Sequence, residues 1–181
     1  MAQLRLIGPR LAASLVLASC GRPNRSEAAP QVAAARSGLV PPKAWQGDSE
    51  LAKAAALAAA DPKAGVAVAG SEAWSDPSRG CYAVWLGLRG GAAPIDVAAE
   101  QLLAALAKEL PEVVVREVSK PGGGAQERGT LALAFEARGF HGRLRADLAH
   151  DGEVRALACV WNRREPKLCE AGCTALFGDA R

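Results

Sequence analysis

Thr130–Ala137 (TLALAFEA) and Phe140–Ala149 (FHGRLRADLA), parted only by Arg138-Gly139, carry the pattern that decides the fold. Leu131, Leu133 and Phe135 recur at every second position. So do Leu144, Ala146 and Leu148, with Arg143, Arg145 and Asp147 in the places between. A period of two, apolar on one side and charged on the other, is that of an antiparallel strand with one face on a core and one in water. Arg138-Gly139 is a tight turn, so the two runs pair as neighbours. His150-Asp151-Gly152 resembles a second hairpin signal and leads into a strand over Val154–Trp161.

Upstream of this meander, Val113–Val118 predicts one more strand, and a helix precedes it from about Pro94 to Leu110. Pro94 suits a first helical turn. Val97, Leu102 or Leu103, Leu106 and Leu110 fit one apolar stripe, Glu100, Lys108 and Glu109 stay wet, and Pro111 ends the helix. Cys81–Leu88 (CYAVWLGL) is a strand with Tyr82, Val84 and Leu86 on one face and Trp85 on the other. Gly65–Ala69 (GVAVA) is a short strand, and Trp74–Gly80 (WSDPSRG) has the Pro and Gly of a turn. Asp48 or Ser49 caps a helix through Leu51, Ala55, Leu57 and Ala58 that stops at Asp61-Pro62. A final helix spans about Glu165–Phe177. The order helix, two strands, helix, four strands, helix predicts an α+β domain, an antiparallel sheet covered by helices on one side.

The N-terminus has a different character. Met1–Arg10 holds two positive charges, Arg5 and Arg10, and no acid, and Leu11–Ala18 (LAASLVLA) is apolar. A basic segment, a short apolar segment and small residues describe an export signal. The apolar run falls far short of the ~20 residues that span a bilayer as a helix. Leu17-Ala18-Ser19-Cys20 resembles the lipobox of bacterial lipoproteins. The resemblance implies that the Cys20 thiol is acylated with diacylglycerol and becomes the first mature residue. Gly21 and Arg22 follow it, not the Asp that resembles an inner-membrane retention signal, which implies an outer-membrane destination, facing the periplasm.

Loss of residues 1–19 leaves 162 of 181 residues and lowers the net charge from +3 to +1. That length suits one domain. Near-neutrality gives no electrostatic case for nucleic acid as a partner. Of five cysteines, Cys20 goes to lipid, leaving Cys81, Cys159, Cys169 and Cys173, an even set in an oxidising compartment, hence two disulfides. Cys169 and Cys173 are four apart on the last helix and share a face, so each is expected to take a different partner, Cys81 or Cys159, and staple the helix to the sheet. The competing use of these thiols with His141 or His150 for a metal lacks zinc-site spacing, so no metal or other cofactor is expected.

Gly21–Ala44, rich in Pro, Ala, Arg and Ser, has no apolar period. The expected organisation is therefore a signal at 1–19, a lipidated Cys20 with a disordered tether at 20–44, and one domain at 45–181. The order of elements resembles the PsbP/Mog1-like fold of small exported lipoproteins: a hairpin, a long helix, a meander of strands and a closing helix. That resemblance implies an accessory or binding module.

Catalytic patterns are sparse. Lys120–Gly129 (KPGGGAQERG) lacks the Gly-Lys-Ser/Thr ending of a phosphate loop and reads as a hairpin loop. No Gly-x-Ser-x-Gly elbow supplies a nucleophile for His141 or His150. Trp161-Asn162-Arg163-Arg164 joins the last strand to the last helix, and Trp161, Arg163 and Arg164 form a candidate recognition surface. The expectation is a non-catalytic envelope lipoprotein, held to the membrane by its lipid, that binds an envelope protein or a small ligand. The alternatives are a small periplasmic enzyme using His141 or His150, or a purely structural envelope protein.

Overall fold

The computed structural model describes residues 35–63, 65–109, 112–121, 127–137, 139–162 and 166–179. Cys20 and the export signal lie outside them, as do Arg163 and Arg164 and the middle of the 120–129 loop. The described residues form seven strands and three helices: β1 (Gln46–Gly47), α1 (Ser49–Ala59), β2 (Ala67–Asp76), β3 (Cys81–Arg89), α2 (Ile95–Glu109), β4 (Val114–Ser119), β5 (Arg128–Ala137), β6 (Phe140–Ala149), β7 (Glu153–Asn162) and α3 (Pro166–Asp179). The strands make one antiparallel sheet in the order β1-β2-β3-β7-β6-β5-β4. The fold is therefore α+β, with its closing helix held by two disulfides, Cys81–Cys169 and Cys159–Cys173.

The meander forms where the alternation puts it. β5 and β6 pair from Arg128↔Ala149 to Ala137↔Phe140, closed by a turn in which Gly139 has φ +88°. Leu131, Leu133, Phe135, Leu144, Ala146 and Leu148 all fall on one face. There they join Val84, Leu86 and Leu88 of β3 and Val154, Ala156, Ala158 and Val160 of β7 in the main core. Two helices cover this face. α1 buries Leu51, Ala52, Ala55 and Ala59, while Leu57 is 80% exposed on its far side. Its N-cap Asp48 accepts from Leu51 N at 2.9 Å and from Ser75 Oγ at 3.0 Å, which ties the helix start to β2. α2 buries Ile95, Ala98, Ala99 and Leu102. The apolar stripe is thus shifted from the expected one: Val97 is 40% exposed, Leu103 is only partly buried, and the side chains of Leu106 and Leu110 lie outside the described set.

The one-sided cover predicted for the sheet is corrected by α3. Cys81, Ala83 and Trp85 of β3 and Leu157, Cys159 and Trp161 of β7 have the parity opposite to the main core. With Trp45, Trp74, Cys169, Cys173 and Leu176 they build a second cluster on the other face. Both disulfides run from α3 to this face, with Cα–Cα distances of 5.4 and 5.9 Å. The sheet is sandwiched, with α1 and α2 on one side and α3 on the other.

Two further differences follow from this second core. β2 runs on to Asp76, through a stretch expected to be a turn, because Trp74 is buried beneath α3; the turn is confined to Pro77–Gly80. Residues 35–39, expected in the tether, lie against the sheet. Ala35 N donates to Ala69 O at 2.9 Å, and Glu72 accepts from both the backbone N and the hydroxyl of Ser37. Gly70 and Gly87 sit opposite each other on β2 and β3 and make the seat, since a Cβ on Gly70 would lie 2.0 Å from Ala35 O.

Candidate functional site

α3 covers only part of its face. Over β3 and β7 it buries the tryptophan cluster, but the outer strands on that side keep the charged residues that alternate with the main core. The result is a trough on the uncovered half. Its larger cavity, about 490 Å³, is floored by Trp85 and Leu157 and walled by Ser37 and Leu39 of the seated N-terminal segment. Around it stand Arg128 and Thr130 from β5, Arg145 and Asp147 from β6, and Glu153 and Arg155 from β7. A second cavity of about 450 Å³ shares Arg145 and continues over Ala132 and Ala134 towards Thr174 and Phe177 of α3. Volumes of this size suit a small molecule.

The register explains the convergence. Thr130, Asp147 and Arg155 form one row across β5, β6 and β7, since Thr130 pairs with Asp147 and Asp147 with Arg155. Thr130 Oγ1 donates to Asp147 Oδ1 at 2.7 Å, and Arg145 Nε donates to the same oxygen at 3.2 Å. Arg155 turns instead to Glu153, with Nε at 2.9 Å and Nη2 at 2.8 Å from Oε1. Three guanidinium groups and two carboxylates thus line one open cavity, mutually oriented but still in contact with water.

The other residues singled out in the sequence fall elsewhere. Trp161 is 5% exposed inside the second cluster. The Arg143 guanidinium lies 6.0 Å from its ring centroid, the His141 ring is at 6.1 Å, and Arg143 Nη2 donates to Glu170 of α3 at 2.9 Å. Trp161 is therefore a packing residue at the helix–sheet junction. His141 Nδ1 is 3.7 Å from Glu136 Oε1, and Glu136 is itself held by Arg116 at 3.1 Å. His150 lies in the turn at the other end of β6, roughly 30 Å away at strand rise, beside a cavity of about 280 Å³ with Glu127, Arg128 and Asp151. The two histidines do not share a site. Among the described residues no three His, Cys, Asp or Glu side chains gather as a metal site.

The trough itself was missed in the sequence. Its signal was there, in the shared parity of Arg143, Arg145 and Asp147, but it needed two facts that alternation does not carry. One is that β7 lies between β3 and β6, which brings Arg155 beside Asp147. The other is that α3 stops short of covering β5 and β6. The chain matches no protein-family model and no curated protein.

Proposed function

We propose that the chain is an exported envelope lipoprotein, acylated at Cys20, whose domain is a non-catalytic binding or accessory module. One observation carries this reading: four of the five cysteines are spent in two buried disulfides. Such bonds persist in oxidising compartments outside the cytoplasm. Cys20, behind its lipobox-like residues, is then the one thiol left for lipid. The trough is the module's working surface, because it is open, walled by the N-terminal segment and the outer strands, and lined by oriented charges. The separation of His141 from His150 speaks for binding over catalysis, in keeping with the PsbP/Mog1-like resemblance. Gly21 and Arg22 after the anchor favour the outer membrane and a periplasmic face.

Metabolic labelling with a fatty-acid analogue tests the anchor: label should enter the protein and vanish in Cys20→Ala. Undiminished label in that variant refutes the lipoprotein reading. A photo-crosslinking residue at Thr130, in the trough, should capture an envelope component that the same residue at Leu57, on the far side of α1, does not. Equal capture from both positions removes the trough as the working surface.

A further inference from the structure

The charges lining the larger cavity are not balanced, and the imbalance has an address. Arg155 is closed on Glu153 through two nitrogens. Arg145 gives Asp147 only its Nε, so its terminal amino groups keep their donors. Arg128 has no ion pair among the described residues. Within this lining three cations meet two carboxylates, and the unpaired donors are those of Arg128, which also borders the neighbouring cavity of Glu127 and Asp151, and of Arg145 on the next strand. Beside this anion-seeking corner, Asp147 and Glu153 retain lone pairs that accept from hydroxyls, and Leu39, Trp85 and Leu157 offer an apolar wall.

A matching ligand brings one negative charge, several hydroxyl donors and a C–H surface on one small frame. A bare anion satisfies only the first of these, and a neutral sugar leaves the surplus charge unmet. A phosphate monoester carries close to two charges at neutral pH, more than the corner offers. A carboxylate carries one and matches the guanidinium fork. We infer that the cavity binds an acidic sugar of the uronic type. Arg128 and Arg145 hold the carboxylate, Asp147 and Glu153 take hydroxyls, and the Leu39–Trp85–Leu157 wall meets the ring. This rests on the trough being the binding surface.

Calorimetric titration of the full chain in detergent with D-glucuronate tests it. Binding is expected with glucuronate, and at least tenfold weaker binding with acetate and with glucose. Arg128→Gln and Asp147→Asn should each weaken glucuronate at least tenfold, the scale set by a charge-assisted hydrogen bond. Arg116→Gln, on β4 and paired to Glu136, should leave it unchanged. Melting temperatures identify any variant that fails to fold, and Arg128, an exposed position, serves if Asp147→Asn does. A short uronic-acid oligomer in place of the monosaccharide tells a polymer unit from a free ligand: tighter binding assigns the polymer, equal or weaker binding the free sugar. No heat with either, equal affinity for acetate, or indifference to Arg128→Gln overturns the inference. Cys20→Ala protein should bind as the parent does, so a failed anchor leaves this result untouched. Capture at Thr130 without glucuronate binding refutes the sugar while sparing the trough.

Discussion

Gly142 shows how one residue fixes the packing of two strands. It pairs with Phe135 across β5 and β6, and the phenyl ring lies over it so closely that an added Cβ would stand 2.2 Å from Cζ. The ring is buried in the main core, so any movement must be taken up by packed neighbours. Gly142→Ala should therefore destabilise by about 1–3 kcal/mol, the usual cost of overfilling a packed interior, read as a lower urea midpoint; an unchanged midpoint would show that the ring moves freely. Both residues stand in the stretch that decides the fold, but their contact is visible only once the two-residue turn sets the register. Asp76 gives a second residue-scale test. It ends β2 beside the turn into β3, where a hydrogen bond from Ser78 and the Arg79 guanidinium hold its carboxyl below the ordinary value of 3.8, outweighing the opposing effect of burial. A carboxyl more acidic in the folded than in the unfolded chain stabilises the fold above the unfolded value and stops doing so as pH falls through the folded one. The stability gap between the parent and Asp76→Asn should be present at about pH 6 and shrink by about pH 2.5. A gap that stays constant with pH would mean the carboxylate charge is not what stabilises the turn.

Most elements were legible in the sequence, because alternation and turn residues are local. Phe140–Ala149 was read with its observed ends, and β5, β7 and the three helices within a few residues. The side taken by α3 was not read, although parity contained it. Tyr82, Val84 and Leu86 share one face of β3 and Trp85 the other, and Cys81 has the parity of Trp85. A helix bonded to Cys81 must lie on the Trp85 side. What hid this is the composition of the second core, where four tryptophans and four cysteines replace the regular aliphatic period. The two staples on α3 should also differ in strength. Cys81–Cys169 spans 88 residues and Cys159–Cys173 only 14, while all four side chains are buried to the same degree. Removing either pair as a double alanine variant thus leaves comparable cavities, and the difference falls on chain entropy. Loss of Cys81–Cys169 should cost about 1.5 kcal/mol more than loss of Cys159–Cys173. Urea unfolding of the two double variants measures this, and a reversed ranking would place the stabilisation in the folded state instead.

At the scale of the whole molecule, the segment leaving the sheet towards Cys20 matters as much as the core. Composition marked residues 20–44 as one tether, because Pro, Ala, Arg and Ser without a period look alike whether or not they are seated. The seat lies elsewhere in the sequence, in Gly70 and Gly87, two glycines 17 positions apart that only β2–β3 pairing brings together. Since Ala35 is fastened there, 14 residues separate it from Cys20, a length whose extended limit is about 50 Å. The fastened segment also supplies Ser37 and Leu39 to the trough, so the chain that leads back to Cys20 and the wall of the trough are one piece. Gly70→Val should separate the two. Valine suits a strand, so the sheet has no reason to break. Its side chain, however, occupies the place of Ala35 O and must displace the segment, together with the Ala35–Ala69 and Ser37–Glu72 hydrogen bonds. The main core on the opposite face keeps its contacts, and Trp45, farther along, still packs in the second cluster. Limited trypsin digestion of the native protein should then cut after Arg36 several-fold faster than in the parent, while the urea midpoint moves little. Equal cutting rates would mean that the glycine pair does not hold the segment, and a collapse in stability would mean that the segment belongs to the core.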